Sequence, residues 1–211
     1  MFWGNLNIPV GARYNFQINS QYDNSDVKRG DLLKTIVINL FGEPSAGKST
    51  AAMDITASLK RKGINAEYVS EFAKDKVYEN NDEVFKHQEY IFGKQSFKMG
   101  RVRDKVQVMV VDSPLILCIV YNNDEILGES FNKTVLNVFN SYENKNFLLT
   151  RKHIYESEGR LQDERGASKV RSHLIEELAK MNIDYDLITS SEKDCELIAN
   201  MIAKEIKNNE Q

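Results

Sequence analysis

Eight residues, Gly42-Glu43-Pro44-Ser45-Ala46-Gly47-Lys48-Ser49, follow the pattern G-x-x-x-x-G-K-[ST], and Thr50 comes directly after them. Chemistry that handles a triphosphate needs this spacing. A loop of that length can wrap three phosphates, and glycines near its ends permit backbone conformations closed to other residues. Its N–H groups then point inward at phosphate oxygens, assisted by the positive end of the helix that follows. In such a loop the lysine bridges the outer phosphates and the hydroxyl of the next residue coordinates magnesium. Residues 42–50 therefore imply binding of ATP with Mg2+, with Lys48 bearing on the phosphates and Ser49 on the metal.

Three further sets of residues carry polar chemistry. Asp112 ends the apolar run Gln107–Val111, where proteins with such a loop place an acid facing magnesium. The plainer alternative is a cap for the segment begun by Ser113-Pro114. Glu71 lies just past a second, shorter expected strand, Glu67–Ser70. A carboxylate there can take a proton from an attacking hydroxyl, or it can start the next helix, where acids favour the dipole. Arg151, Arg160 and Arg165 occupy a polar stretch after a fourth run, Asn146–Thr150. Arginine suits the charge spread over phosphoryl oxygens in transfer, and the stretch reads as a lid over about 151–167. Arg151 and Arg160 are its selected residues; the alternative is a solvated helix with Glu156, Glu158, Asp163 and Glu164 as partners.

These groups need a scaffold, and the chain supplies alternating strands and helices. Thr35–Phe41 is a nearly continuous apolar run, as expected of a parallel strand buried on both faces. A helix over Ser49–Lys62 follows, with Ala52, Ile55 and Leu59 on one side and Gly63 as its stop. Asp82 can cap a long helix to about Asp104. Further helices are expected at Ser130–Tyr142 and Ser168–Met181, and a fifth strand at Tyr185–Thr189. Ser191 with Asp194 makes a capping box for a last helix. This order predicts an α/β fold, a three-layer doubly wound parallel sheet whose ligand site lies at the carboxyl ends of the strands.

Composition narrows the class. The 211 residues suit one domain, and 41% hydrophobic with 28% charged residues is ordinary for a globular chain. A net charge of -3 supplies no overall drive toward nucleic acid or membrane. No apolar run approaches the roughly 18 residues that span a bilayer, and Met1–Gly11 lacks the start of a signal peptide. Cys118 and Cys195 are unclustered, so buried thiols in the cytoplasm are expected rather than a disulfide or zinc site. His87, His153 and His173 show no mutual metal-ligand spacing. Residues 1–33 differ in composition and are read as an N-terminal extension, with the domain itself at 34–211.

Four blocks, Gly42–Thr50 (GEPSAGKST), Ser70–Asp75 (SEFAKD), His87–Ile91 (HQEYI) and Val111–Leu115 (VDSPL), resemble the nicotinamide riboside kinase type of P-loop kinase. They are similar also to small kinases encoded by bacteriophages. The resemblance covers about residues 35–205. It implies transfer of the ATP γ-phosphate to a hydroxyl on a nucleoside or nucleotide acceptor, with Glu71 and Asp112 at the acceptor hydroxyl or magnesium. It also implies that Gln88 and Tyr90 line the acceptor pocket, and that the tract from Arg151 to Glu164 is the lid. Lys74 stands where the riboside kinases usually carry arginine, and Ser113-Pro114 replaces their Thr-Asp; both departures bear on the acceptor. Some phage relatives phosphorylate a hydroxymethylated pyrimidine in DNA, so DNA is a second candidate acceptor.

Lys94, Lys98, Arg101 and Lys105 recur at steps of four, three and four, and share one face of the expected long helix. That face could track nucleic-acid phosphates, or it could be a solvated surface, with Tyr90, Ile91, Phe97 and Val102 on the buried side. A P-loop ATPase or nucleotide-dependent regulatory module is the reading from another class. No Asn-Lys-x-Asp run is present, which argues against a GTPase switch.

Overall fold

The computed structural model describes residues 34–150 and 164–209. The expected N-terminal extension 1–33 and the expected lid through residue 163 lie outside the described residues.

β1 (Ile36–Phe41) is buried at every position, and alternation sends its side chains to two opposite faces. Ile36, Ile38 and Leu40 enter one apolar cluster, Val37 and Phe41 the other. The phosphate loop leads into α1 (Lys48–Arg61), whose Ala51, Ala52, Ile55 and Leu59 bury against the first face. Then come β2 (Ala66–Val69), α2 (Phe72–Tyr78), a 3-10 stretch at Asp82–Lys86 and α3 (Gln88–Gly100). β3 (Val108–Val111) is wholly buried, and α4 (Leu117–Val120), a short helix, follows Pro114. α5 (Gly128–Asn140), β4 (Glu143–Leu149), α6 (Glu164–Lys180), β5 (Asp186–Ile188) and α7 (Glu192–Asn209) complete the order.

The five strands form one parallel sheet in the order β2-β3-β1-β4-β5. α1 and α7 pack on one face through Leu59, Ile198, Ile202 and Ile206. Ile91 and Met99 of α3, all of α4, Phe131 and Val135 of α5, and Leu174 and Leu178 of α6 cover the other. This is the expected three-layer doubly wound α/β arrangement. Among the described residues no helix is long and apolar enough to cross a membrane. Cys118 and Cys195 are both free and buried.

Four local expectations need correction. The long helix is interrupted at His87, whose φ of -113° and ψ of 75° end the 3-10 stretch and start α3 afresh. β4 begins at Glu143, earlier than expected, because its polar first half pairs with β1 from Ile36 onward. α6 begins at Glu164, so the last positions assigned to the lid are helical. In the capping box, Ser191 Oγ does accept from Asp194 N at 3.3 Å. The Asp194 carboxylate, however, accepts from Thr189 N at 2.9 Å and from the Thr189 hydroxyl.

Candidate functional site

β1 delivers the chain to Gly42, and the loop from there to Ser49 folds back before α1 begins. Gly42 has φ 149° and Gly47 φ 87°, and Ser45 in the middle is held at φ 65°. Gly47 is also close to another segment: a Cβ there would lie 2.6 Å from Cβ and Oγ of Ser190, in the turn after β5. Among the described residues no side chain caps the first turn of α1, and that turn contains no acid. A helix start without a capping side chain or an acid is the setting in which backbone N–H groups can receive an anion.

Side chains converge on this loop. Lys48 Nζ donates to the carbonyl oxygens of Gly42 and Glu43 at 3.0 and 3.1 Å, arching back across the loop. Ser49 Oγ donates to Asp112 Oδ2 at 2.7 Å, and Tyr68 on β2 donates its phenol to the same oxygen at 2.6 Å. Burial is the first cause holding the Tyr68 phenol above its ordinary range, and its bond to the Asp112 carboxylate the next. Tyr68 therefore stays a donor. Asp112 is buried, and its Oδ1 has no partner among the described residues.

A hydroxyl and a carboxylate, with one carboxylate oxygen buried and unpartnered, form a hard-oxygen donor set of the kind magnesium takes. Among the described residues no three His, Cys, Asp or Glu side chains cluster to hold a metal. The residues present fit an ion held by few protein oxygens.

Pro44 through Ser49 line one side of a cavity of about 260 Å³. Glu71, Lys74, Gln88, Cys118 and Asn123 are among the residues on its other sides. Glu71 is the residue before α2, with φ -58° and ψ 124°. Its side chain does not cap α2; the first helical amide, Phe72 N, donates instead to Gln95 Oε1 from α3 at 3.1 Å. Burial first, and the Glu71 charge second, push the Cys118 thiol up to about 12. Cys118 therefore stays a protonated thiol in the cavity wall at neutral pH.

The cavity thus brings together the loop, Lys48, Ser49, Glu71 and Gln88, and Ser49 in turn is hydrogen-bonded to Asp112. Tyr90 is not among its lining residues; it is partly exposed and sits edge-on to Phe72 at 5.6 Å. Arg151 and Arg160 lie outside the described residues, and Arg165 falls within α6. The basic face of α3 is not continuous. Lys98 Nζ donates to Ser70 O and Oγ at 2.6 and 2.8 Å, and Lys105 lies beyond the helix end. Phe97, expected in the core, is 68% exposed beneath Arg101.

Tyr68 and Arg171 are among the contributors that the sequence does not mark. Tyr68 is one of several aromatic residues, and nothing local ties it to Asp112, 44 positions away. Arg171 on α6 donates to Glu43 Oε2 at 3.1 Å and to Leu149 O at 2.9 Å. In sequence it is one basic residue in a charged helix.

No curated protein sequence is significantly similar to this chain. Among solved structures, deoxyadenosine kinase from M. mycoides with bound dATP is similar at 20% identity, with a TM-score of 0.52, over 79% of this chain and 98% of that one. The same enzyme with the products dCMP and a flexible dCDP bound is similar at 16% identity and a TM-score of 0.46, over 82% of this chain and 99% of that one. The first likeness agrees with the sheet order and the loop in giving an α/β P-loop NTPase fold. A family model described as an AAA domain matches residues 37–193. That span exceeds half of the chain and contains the loop, Glu71 and Asp112, and on this ground the chain belongs to the AAA-domain family.

Proposed function

We propose that this protein is an ATP- and magnesium-dependent kinase that phosphorylates a hydroxyl of a nucleoside, a nucleotide or a related small acceptor. One observation carries the reading: the phosphate loop and Glu71 border the same cavity, so a triphosphate tail and an acceptor hydroxyl can meet there. The likeness in fold to a deoxyadenosine kinase supports a nucleoside-like acceptor over other hydroxyl compounds.

In this reading the loop amides from Ser45 to Ser49, with Pro44 shaping the loop before them and Thr50 behind them, hold the phosphates, and Lys48 swings from its carbonyl partners to the outer phosphate oxygens. Magnesium, when bound, neutralises charge on those oxygens, and Ser49 and Asp112 would hold it. Glu71 takes the proton of the acceptor hydroxyl as its oxygen bonds to the γ-phosphorus. The bond from that phosphorus to the β–γ bridging oxygen breaks, and ADP leaves with the electron pair. Arg151 and Arg160 complete the proposal as stabilisers of the transferring charge from the lid. Free thiols at Cys118 and Cys195 fit work in the cytoplasm.

The test is label transfer. The protein is incubated with γ-labelled ATP, magnesium, a panel of nucleosides and nucleotides, and DNA carrying hydroxymethylated pyrimidines. Label on a small acceptor is the expected result. Label on DNA would make it a kinase of a modified base, and label in free phosphate alone would make it an ATPase or regulatory module. By calorimetry, Lys48→Ala should abolish ATP binding; undiminished binding would remove the loop from the site.

A further inference from the structure

The second residue of the phosphate loop is an acid, and a carboxylate is the wrong charge for a cradle that must receive an anion. Glu43 is buried, so water does little to screen it. Its Oε2 accepts from Arg171 Nη1 at 3.1 Å, and the same guanidinium nitrogen donates at 2.9 Å to Leu149 O, the last carbonyl of β4. The end of β4 also abuts the loop: a Cβ on Gly42 would lie 3.4 Å from Leu149 O. Arg171 is therefore fixed by strand and loop together.

We infer that Arg171 is a positioning residue that neutralises Glu43 and so keeps the phosphate loop, and Lys48 above all, available to the nucleotide. Two cations meet at Glu43. Lys48 Nζ already donates to the backbone carbonyl of Glu43 at 3.1 Å, while Arg171 takes the carboxylate of the same residue. With Arg171 gone, the buried carboxylate would compete with the triphosphate for Lys48 and repel each phosphate in turn. The penalty must grow with the number of phosphates on the ligand. A pair that served only to hold α6 against the loop would cost all ligands alike.

The inference rests on the phosphate-loop reading above and is tested by binding, so it stands or falls whether or not an acceptor is found. Dissociation constants for ATP, ADP and AMP are measured by calorimetry, in magnesium, for wild type, Arg171→Met, Glu43→Gln and the double variant. Arg171→Met should weaken ATP by about tenfold or more, ADP by less and AMP least. Glu43→Gln should bind ATP at least as well as wild type, and the double variant should recover wild-type affinity to within about threefold. If Arg171→Met does not fold, the double variant is judged on its own: ATP affinity within about threefold of wild type supports the pair, and a larger loss overturns it. Equal losses for all three ligands, or a double variant as weak as Arg171→Met, would overturn the role of the pair alone. Wild-type protein that bound none of the three would overturn the phosphate-loop reading and this inference together.

Discussion

At Gly47 two separate demands fall on one residue: a φ of 87°, and Ser190 lying where a side chain would have to go. Gly47→Ala should therefore cost about 2–3 kcal/mol, with about 1–2 for the left-handed backbone and the rest for the clash. Adding Ser190→Gly should return only the steric part. Urea unfolding of the two variants separates these terms, and full recovery in the double variant would mean the backbone is unstrained there. Tyr68 makes a second test at this scale. Tyr68→Phe removes one of two donors to Asp112 Oδ2 and should lower stability by about 1–2 kcal/mol. Unchanged stability would show the bond is not formed in solution. Lys48, Ser49 and Asp112 were legible because a motif and a strand end mark them in local sequence. Tyr68, Ser190 and Arg171 were not, since each reaches the site only through contacts across the fold.

Among the elements, α3 shows how a surface pattern can mislead. Its cations recur at helical spacing, yet Lys98 does not face solvent as a phosphate tracker would; it ties α3 to Ser70, the residue before Glu71. Gln95, one turn earlier and buried, supplies the acceptor for the first amide of α2. Together they fix the β2–α2 junction that carries Glu71. Lys98→Met should thus lower kcat while leaving the ATP dissociation constant near wild type, whereas Lys94→Ala with Arg101→Ala should change neither. The comparison needs steady-state rates and calorimetry on both variants. Loss of ATP binding in Lys98→Met would place its effect at the phosphate loop instead. The apolar strands β1 and β3 could be read from sequence because burial on both faces leaves a continuous hydrophobic run. The start of β4, Glu143-Asn144-Lys145, could not. Asn144 and Asn146 accept from the buried Asn39 of β1, and Lys145 pairs with Glu205 of α7, so polar partners replace the apolar signal. The break at His87 was hidden for a different reason: helical and 3-10 turns differ too little in period to separate over five residues.

At the largest scale, one sheet separates two apolar clusters among the described residues, and each contains one cysteine: Cys195 of α7 beside α1 on the first face, Cys118 of α4 beside α3 on the second. Burial is the leading cause at both thiols, raising Cys118 from an ordinary 9.0 to about 12 and Cys195 from 9.0 to about 11. The sign follows from linkage. Below pH 9 both states keep the thiols protonated, and neither cysteine makes stability depend on pH. Above it the unfolded chain ionises first, so stability falls as pH rises until the folded thiol also ionises. Each cysteine should steepen that fall by up to about 1.4 kcal/mol per pH unit. The phenols of Tyr68 and Tyr142 are also raised by burial and act in the same direction, from an ordinary value of 10.0 upward. Cysteine variants are therefore compared with wild type rather than judged on absolute slope. Urea unfolding between about pH 8 and about pH 11 should show a shallower decline in Cys118→Ala and in Cys195→Ala. Because the sheet lies between the two thiols, the flattening in the double variant should be the sum of the singles. A decline as steep in the double variant as in wild type would mean that water reaches these thiols in the folded state, and that the two faces of the sheet are not sealed.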